Sequence, residues 1–196
     1  MSFNTVTQFE SALAEWWGAP YCVATDCCTH AIEISLIHRG VTHAVSPTHT
    51  YISIPFTLDK LNINWVFSPA KWTNYYTVAE DIVDSAVYWQ PGGYLGGLQC
   101  LSFQFKKPLN LGRGGAILCD NKQDYIALKR LAYDGRYGDV IPWAEQIITT
   151  PGYHYYMTPE TAALGLERLP HAVAKKTWSW EDYPDLSLQP VFGIVG

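Results

Sequence analysis

The sequence predicts an α/β protein with a mostly parallel central sheet flanked by helices. Short apolar runs alternate with longer stretches of helical periodicity along the whole chain, which is the pattern of strand–helix–strand units. Glycine, proline and Asx or Ser/Thr clusters punctuate almost every change of period. The chain has 196 residues, 48% hydrophobic and 16% charged, enough apolar matter for one packed core. That balance excludes a disordered, collagen-like or coiled-coil chain.

The elements follow in order. Thr5-Val6-Thr7-Gln8 has the spacing of a capping box. Phe9, Leu13, Trp16 and Trp17 then share one helical face, and Gly18 fits the stop. Tyr21–Ala24 reads as a strand and Ala31–Ile37 as a buried helix ending at Gly40. Ala44–Ser46 reads as a strand tip before Pro47, residues 52–61 as a helix, and Asn64–Phe67 as a strand. Thr77–Ala79 is a short strand running into Glu80-Asp81. Cys100–Phe105 and Gly114–Cys119 are further strands, the second entered through Gly112, Gly114 and Gly115. Gln123–Tyr133 is a helix stopped at Gly135, and Thr158–Leu169 is a helix with Pro159 in its first turn. These units are expected to form one domain over residues 1–176, followed by an irregular tail rich in Trp and Pro over residues 177–196.

Net charge is -5, which argues against a broad basic surface for nucleic acid. The five cysteines have no Cys-x-x-Cys spacing, so no metal site is expected. With no leader-like opening and no apolar run of membrane length, a reduced, cytoplasmic protein is the expectation. The 8 Trp and 13 Tyr are many for so few charges, and point to surface covered by a partner.

In α/β sheets ligands bind beyond the carboxyl ends of the strands, so chemistry belongs in the residues that follow strands. Four such clusters stand out. Asp26-Cys27-Cys28-Thr29-His30 opens a helix whose free N–H groups suit a phosphate, although the run also reads as a plain N-cap. Glu80-Asp81 offers a carboxylate for a cationic nitrogen, or a turn cap. In Ser102-Phe103-Gln104-Phe105-Lys106-Lys107 the phenylalanines wall in lysines; such an amine loses solvation and can form a Schiff base, though two solvated lysines would read the same. Gly152–Thr158 is aromatic and irregular and precedes a helix. Together with Tyr51 in Pro47-Thr48-His49-Thr50-Tyr51, these meet the needs of pyridoxal phosphate: an amine, a carboxylate, a phosphate cradle and an aromatic.

The same residues resemble the DegT/StrS sugar-nucleotide aminotransferases, fold type I pyridoxal-phosphate enzymes. The resemblance runs through FESALAEWWGAPYCVATDCCTHAIEISL, SPTHTYIS, AEDIVDSA, SFQFKKPLNLGRGGAIL and GYHYYMTPETAALGLERL, in order. The family places Gly-Gly seven and eight residues after its lysine, and Gly114-Gly115 stand so after Lys107, not Lys106. It implies Lys107 as the lysine that bonds the cofactor aldehyde and shuttles the proton. Asp81 is implied as partner of the pyridine nitrogen and Tyr51 as the stacking ring. Cys27, Cys28, Thr29 and Ser102 are implied to bind the phosphate. His154 stands where the family has an Asn that reaches the neighbouring subunit's phosphate, which implies a homodimer with a shared site. Asp84 falls at the family's Gln or His position beside the cofactor, and Tyr156 replaces an Arg. The implied reaction moves an amino group from an amino acid, glutamate, to a keto-sugar nucleotide. The chain is shorter than family members between Phe67 and Asp81 and after Leu169, so a catalytically degenerate cofactor-binding or assembly protein is the alternative.

Overall fold

The computed structural model describes residues 2–136 and 141–193. Helix α1 (Asn4–Trp17) ends at Gly18, whose φ of 73° no other residue takes as cheaply. Its start differs from the expected capping box: Phe3 is the cap residue and makes no side-chain cap, because the helix begins upstream of Thr5. Strand β1 (Tyr21–Thr25) leads into α2 (Cys28–Arg39), which stops at Gly40 with φ 62°. Strands β2 (His43–Pro47) and β3 (Asn64–Ser68) flank α3 (Ser53–Lys60) and pair in parallel.

Strands β4 (Tyr76–Ala79), β5 (Ile82–Asp84), β6 (Leu98–Ser102) and β7 (Gly115–Cys119) complete a five-stranded sheet in the order β1-β7-β6-β5-β4. The α/β class stands, and the sheet is mixed rather than purely parallel: β5 and β6 are parallel, while β1–β7, β6–β7 and β4–β5 are antiparallel. The reason is two tight reversals. Glu80, at φ 45°, turns β4 back onto β5, and the Gly112–Gly115 run returns the chain as β7 beside β6. Strand β6 ends at Ser102 rather than Phe105, because the chain turns at Gln104–Lys107 with the Lys107 N–H on the Gln104 carbonyl at 2.8 Å. Helices α4 (Lys122–Ala132) and α5 (Pro159–Arg168) close the chain's regular part.

Strand alternation sends neighbouring residues to opposite faces. Val23, Ile117, Cys119, Ile82 and Cys100 pack with Ile32, Ile34 and Leu128 on the α2–α4 side. Cys22, Ala24, Ala116, Leu118 and Leu101 pack with Phe9, Leu13, Trp17 and Ala162 on the α1–α5 side. Each fully buried Leu, Ile or Phe contributes roughly 1.5–3 kcal/mol, so this three-layer core fixes the sheet's edge rigidly. The carboxyl ends of β1, β5 and β6 lie along that edge, since β1 and β6 both run opposite to β7.

The stretch expected to be an irregular tail has short 3-10 turns at Trp180–Asp182 and Leu186–Leu188 and is hydrogen bonded to the body. Its last residues, 194–196, lie outside the described residues. Part of the aromatic excess is used inside the chain: Trp17, Trp72 and Trp89 are buried, whereas Trp143 is 69% exposed.

Candidate active site

The first component is the amino end of α2. Cys27 caps it in extended conformation, its Sγ accepting the His30 N–H at 3.4 Å. β7 lies hard against this turn: a Cβ on Gly115 would sit 2.4–2.7 Å from backbone atoms of Cys27 and Cys28. The end of a helix presents unpaired N–H groups and a positive dipole end, and here those groups face the sheet edge. Positive charge gathers beside it. Arg113 Nη2 donates to Asp26 Oδ2 at 2.8 Å, and the His30 Nδ1 meets Asp26 Oδ1 at 2.6 Å. The His30 ring stacks on Tyr155 at 3.7 Å and 10°. Burial pulls the imidazole pKa down, but its hydrogen bonds to Asp26 and Cys27 outweigh that and raise it to about 9. Thr29 Oγ1 lies 2.9 Å from Ser53 Oγ, tying the cradle to α3.

The second component is the pair Asp84 and Lys107. Asp84 ends β5 and is buried; it accepts the Tyr76 hydroxyl at 2.6 Å and the Ala86 N–H at 2.9 Å. Tyr76 in turn is bonded to Thr50 Oγ1. Burial raises the Asp84 carboxyl above the usual range, offset in part by Tyr76, Ala86 and the charge of Lys107. Burial likewise lowers the Lys107 amine, offset in part by Asp84. Each group thus feels the other across the edge, and among the described residues Lys107 has no ion-pair partner within 4.0 Å. A buried acid and a desolvated amine whose pKa values are pushed toward one another mark a site built for proton movement.

Asp81 lies elsewhere. It sits before β5, not after it, and its carboxylate is held by Arg39, with Nε to Oδ1 at 2.9 Å and Nη2 to Oδ2 at 2.8 Å. Arg39 is the last residue of α2, a helix of 12 residues that spans about 18 Å from the cradle. Asp81 therefore belongs to the opposite end of the sheet, and the carboxylate at the carboxyl end of β5 is that of Asp84. Ser102 ends β6 opposite Gly115, and Cys28 is buried next to Asp84. Tyr51 is 61% exposed. His154 faces solvent, its Nδ1 3.0 Å from Asp134 Oδ2 and its ring on Tyr156 at 4.4 Å.

Sequence reasoning missed Tyr76, Thr50, Tyr183 and Trp178. Lys107 Nζ lies 5.7 Å from the Trp178 ring centroid, and Tyr183 is close enough to Asp84 for that carboxylate to act on its hydroxyl. Thr50 stands inside the Pro47–Tyr51 run, where only Tyr51 drew notice, while Tyr76, Tyr183 and Trp178 come from segments whose only signal is aromatic richness. A cleft of about 340 Å³ adjoins this region, lined by Val87 and Gln90 on one side and by Lys175, Lys176 and Thr177 on the other. Asp26, Cys27 and His30 bring one ligand atom each within 4.8 Å, but the Arg113 guanidinium already occupies Asp26 and would oppose a cation.

Pyridoxal phosphate requires an amine, an acid and an anion cradle along one edge, and Lys107, Asp84 and the amino end of α2 meet that requirement. Among the described residues the buried Ser85 Oγ, directly after Asp84, has no hydrogen-bond partner. The residues present fit the group.

An α/β edge that carries a buried acid, a desolvated amine and a free helix amino end defines the class of the candidate site. The chain belongs to the DegT/DnrJ/EryC1/StrS aminotransferase family, whose model matches residues 1–87 and 78–186. Similar solved structures include an aminotransferase from Psychrobacter cryohalolentis, with a TM-score of 0.67 at 18% identity over 85% of this chain and 57% of that one. A putative sugar aminotransferase from Streptococcus pneumoniae in its PMP form matches with a TM-score of 0.69 at 16% identity, over 86% of this chain and 60% of that one. An aminotransferase of pseudoaminic acid biosynthesis from Helicobacter pylori matches with a TM-score of 0.68 at 16% identity, over 86% and 58%. At these identities the likeness shows the fold. The chain spans less than two thirds of each structure's length. No curated protein matches. No helix among the described residues is long and apolar enough to cross a membrane.

Proposed function

We propose that the chain is a pyridoxal-phosphate-dependent aminotransferase that moves an amino group from an amino acid, glutamate, to a keto-sugar nucleotide. We assign it to the cytoplasm as a homodimer in which His154 serves the partner's site. The observation that carries this reading is the meeting of Asp84, Lys107 and the amino end of α2 at one sheet edge.

Bound there, pyridoxal phosphate supplies an aldehyde for an amine and an electron sink for the substrate carbon. The chain's own groups do the rest. The N–H groups at Cys28 and Thr29, with Ser102 nearby, bind the phosphate. Asp84, rather than Asp81, would hold the ring nitrogen, and a cationic partner there would lower a pKa that burial alone raises. Tyr76 and the Ala86 N–H fix the carboxylate's orientation. Lys107, with its amine pKa lowered, has more neutral amine at working pH; it would hold the cofactor by its aldehyde and would carry the proton at the substrate carbon. Counted from Asp84, the family's Gln or His position falls on the buried Val87, so no side-chain donor stands there. Tyr51 covers the ring only if its exposed side chain swings inward.

The cofactor-degenerate reading keeps support from one observation, the cover that Trp178 and Tyr183 place over the edge. The two part on a spectroscopic test. Cofactor-loaded protein is mixed with glutamate and the change in visible absorbance followed. Conversion supports transamination; a loaded protein inert to amino donors supports the degenerate reading, and a protein that takes up no cofactor removes transamination and leaves only the assembly role.

A further inference from the structure

The segment from Lys176 to Leu186 is stitched across the candidate site. Asn74 and Trp178 exchange bonds, Asn74 N to the Trp178 carbonyl at 2.8 Å and Trp178 N to Asn74 Oδ1 at 3.1 Å. Trp180 N donates to the Trp72 carbonyl at 3.1 Å, and Leu186 N to the Thr48 carbonyl at 2.8 Å. His49 Nδ1 reaches the Tyr183 carbonyl at 2.8 Å, and the Trp72 indole N–H donates to His49 O at 2.7 Å. A capping box at Ser179–Asp182 stiffens the middle, where Asp182 also receives Lys176 Nζ. This strap is anchored on residues 48–49, beside the Thr50 that completes the Tyr76–Asp84 chain.

Its geometry sets two amines against one indole. Lys176 Nζ is 4.0 Å from the Trp178 ring centroid and Lys107 Nζ is 5.7 Å from it. Lys176 is already neutralised by Asp182, so the second cation facing the ring is Lys107. Tyr183 packs on Trp72 at 5.5 Å and on Trp178 at 6.3 Å, closing the wall toward Asp84.

We propose that residues 176–186 form a wall of the candidate site and that Trp178 is a positioning residue that caps the Lys107 amine, holding it at the edge and shielding it from solvent. This rests on the reading of Lys107 as the reactive amine. An indole face attracts an ammonium without removing its proton and excludes water from one side. Any substrate must then approach Lys107 from the side the strap leaves open.

The test needs no cofactor. In the cofactor-free chain, arylation of Lys107 by trinitrobenzenesulfonate is followed by peptide mass spectrometry at a pH where the amine is neutral, so the rate reports access. Amide exchange at Asn74 and Trp180 reports whether the strap is in place. Trp178→Ala is expected to label about tenfold faster, because the ring that covers one side of the neutral amine is gone, and Trp178→Phe to stay within about threefold of the native rate. An unchanged rate in Trp178→Ala overturns the proposal. Should Trp178→Ala release the strap amides as well, Asp182→Ala decides, since it frees Lys176 and keeps the ring. Faster strap exchange with faster labelling of Lys107 then supports the wall, and a released strap over a still-protected Lys107 overturns it. Failure of the cofactor reading would show instead as absent cofactor absorbance with labelling unaffected.

Discussion

Arg39 holds Asp81 and Asp124 in one fork. Its Nε and Nη2 bind the two oxygens of Asp81, while Nη1 and Nη2 bind those of Asp124 at 2.8 Å each. His38 Nε2 adds a contact to Asp124 at 2.7 Å. The fork joins the carboxyl end of α2 to the β4–β5 turn and to the first turn of α4, and it keeps the Asp124 carboxyl well below the usual range, chiefly through Arg39. Asp81 is therefore a structural anchor, and the acid of the proposed site is Asp84 at the other end of β5.

That division predicts opposite outcomes for two similar substitutions. Asp81→Asn loses a bidentate, charge-assisted contact at a side chain that is 42% exposed, costing about 0.5–1.5 kcal/mol of stability and leaving cofactor uptake intact. Asp84→Asn removes a buried charge that Tyr76 and Ala86 stabilise only in part, so the cofactor-free chain keeps or gains stability while cofactor uptake fails. Urea midpoints and cofactor titrations of both variants check this; failure of uptake in Asp81→Asn alone would reverse the assignment.

The His30–Asp26 pair predicts a pH dependence of stability. The imidazole pKa is about 9 in the fold against about 6.5 unfolded, so its stabilisation is complete below about 6.5 and is lost as pH rises through 9. Asp26 is shifted down, burial opposing but His30 and Arg113 prevailing, so its share is lost as pH falls below the ordinary carboxylate range. Between pH 7 and 10 the native chain should lose roughly 1–2 kcal/mol that His30→Asn does not lose. Equal slopes for the two proteins in denaturant titrations across that window would refute the pairing.

Gly115 is needed for space. Added atoms at its Cβ would fall inside contact distance of the Cys27–Cys28 peptide, so Gly115→Ala must push the amino end of α2 away from the sheet. About 1–3 kcal/mol of stability should go, with a further loss of affinity for inorganic phosphate. Unchanged phosphate affinity would show that this turn is not the cradle.

Much of this was legible in the chain, for identifiable reasons. The helix stops at Gly18 and Gly40 follow from positive φ, and the strand positions follow from apolar runs such as Gly115–Cys119. The fixed spacing to Gly114-Gly115 singled out Lys107 over Lys106. Asp81 and Asp84 were harder to separate, because both stand beside β5 and only the hairpin at Glu80 decides which end faces the site. The sheet's mixed pairing was hidden for the same reason: a tight reversal between two short strands leaves little trace in periodicity. The strap was hidden more fully. Trp178 and Tyr183 reach the site through hydrogen bonds to Asn74, Trp72 and His49 that span more than a hundred residues of chain.

Lys107 and Asp84 are proposed to hold pyridoxal phosphate together. Purified chain is mixed with pyridoxal phosphate, the visible absorbance of amine-bonded aldehyde is read, and the adduct is fixed with borohydride and mapped. The band is expected in native chain and Asp81→Asn and is expected to be absent in Lys107→Ala and Asp84→Asn, with the label on Lys107. A band that survives Lys107→Ala, or a label on Lys106, would contradict it.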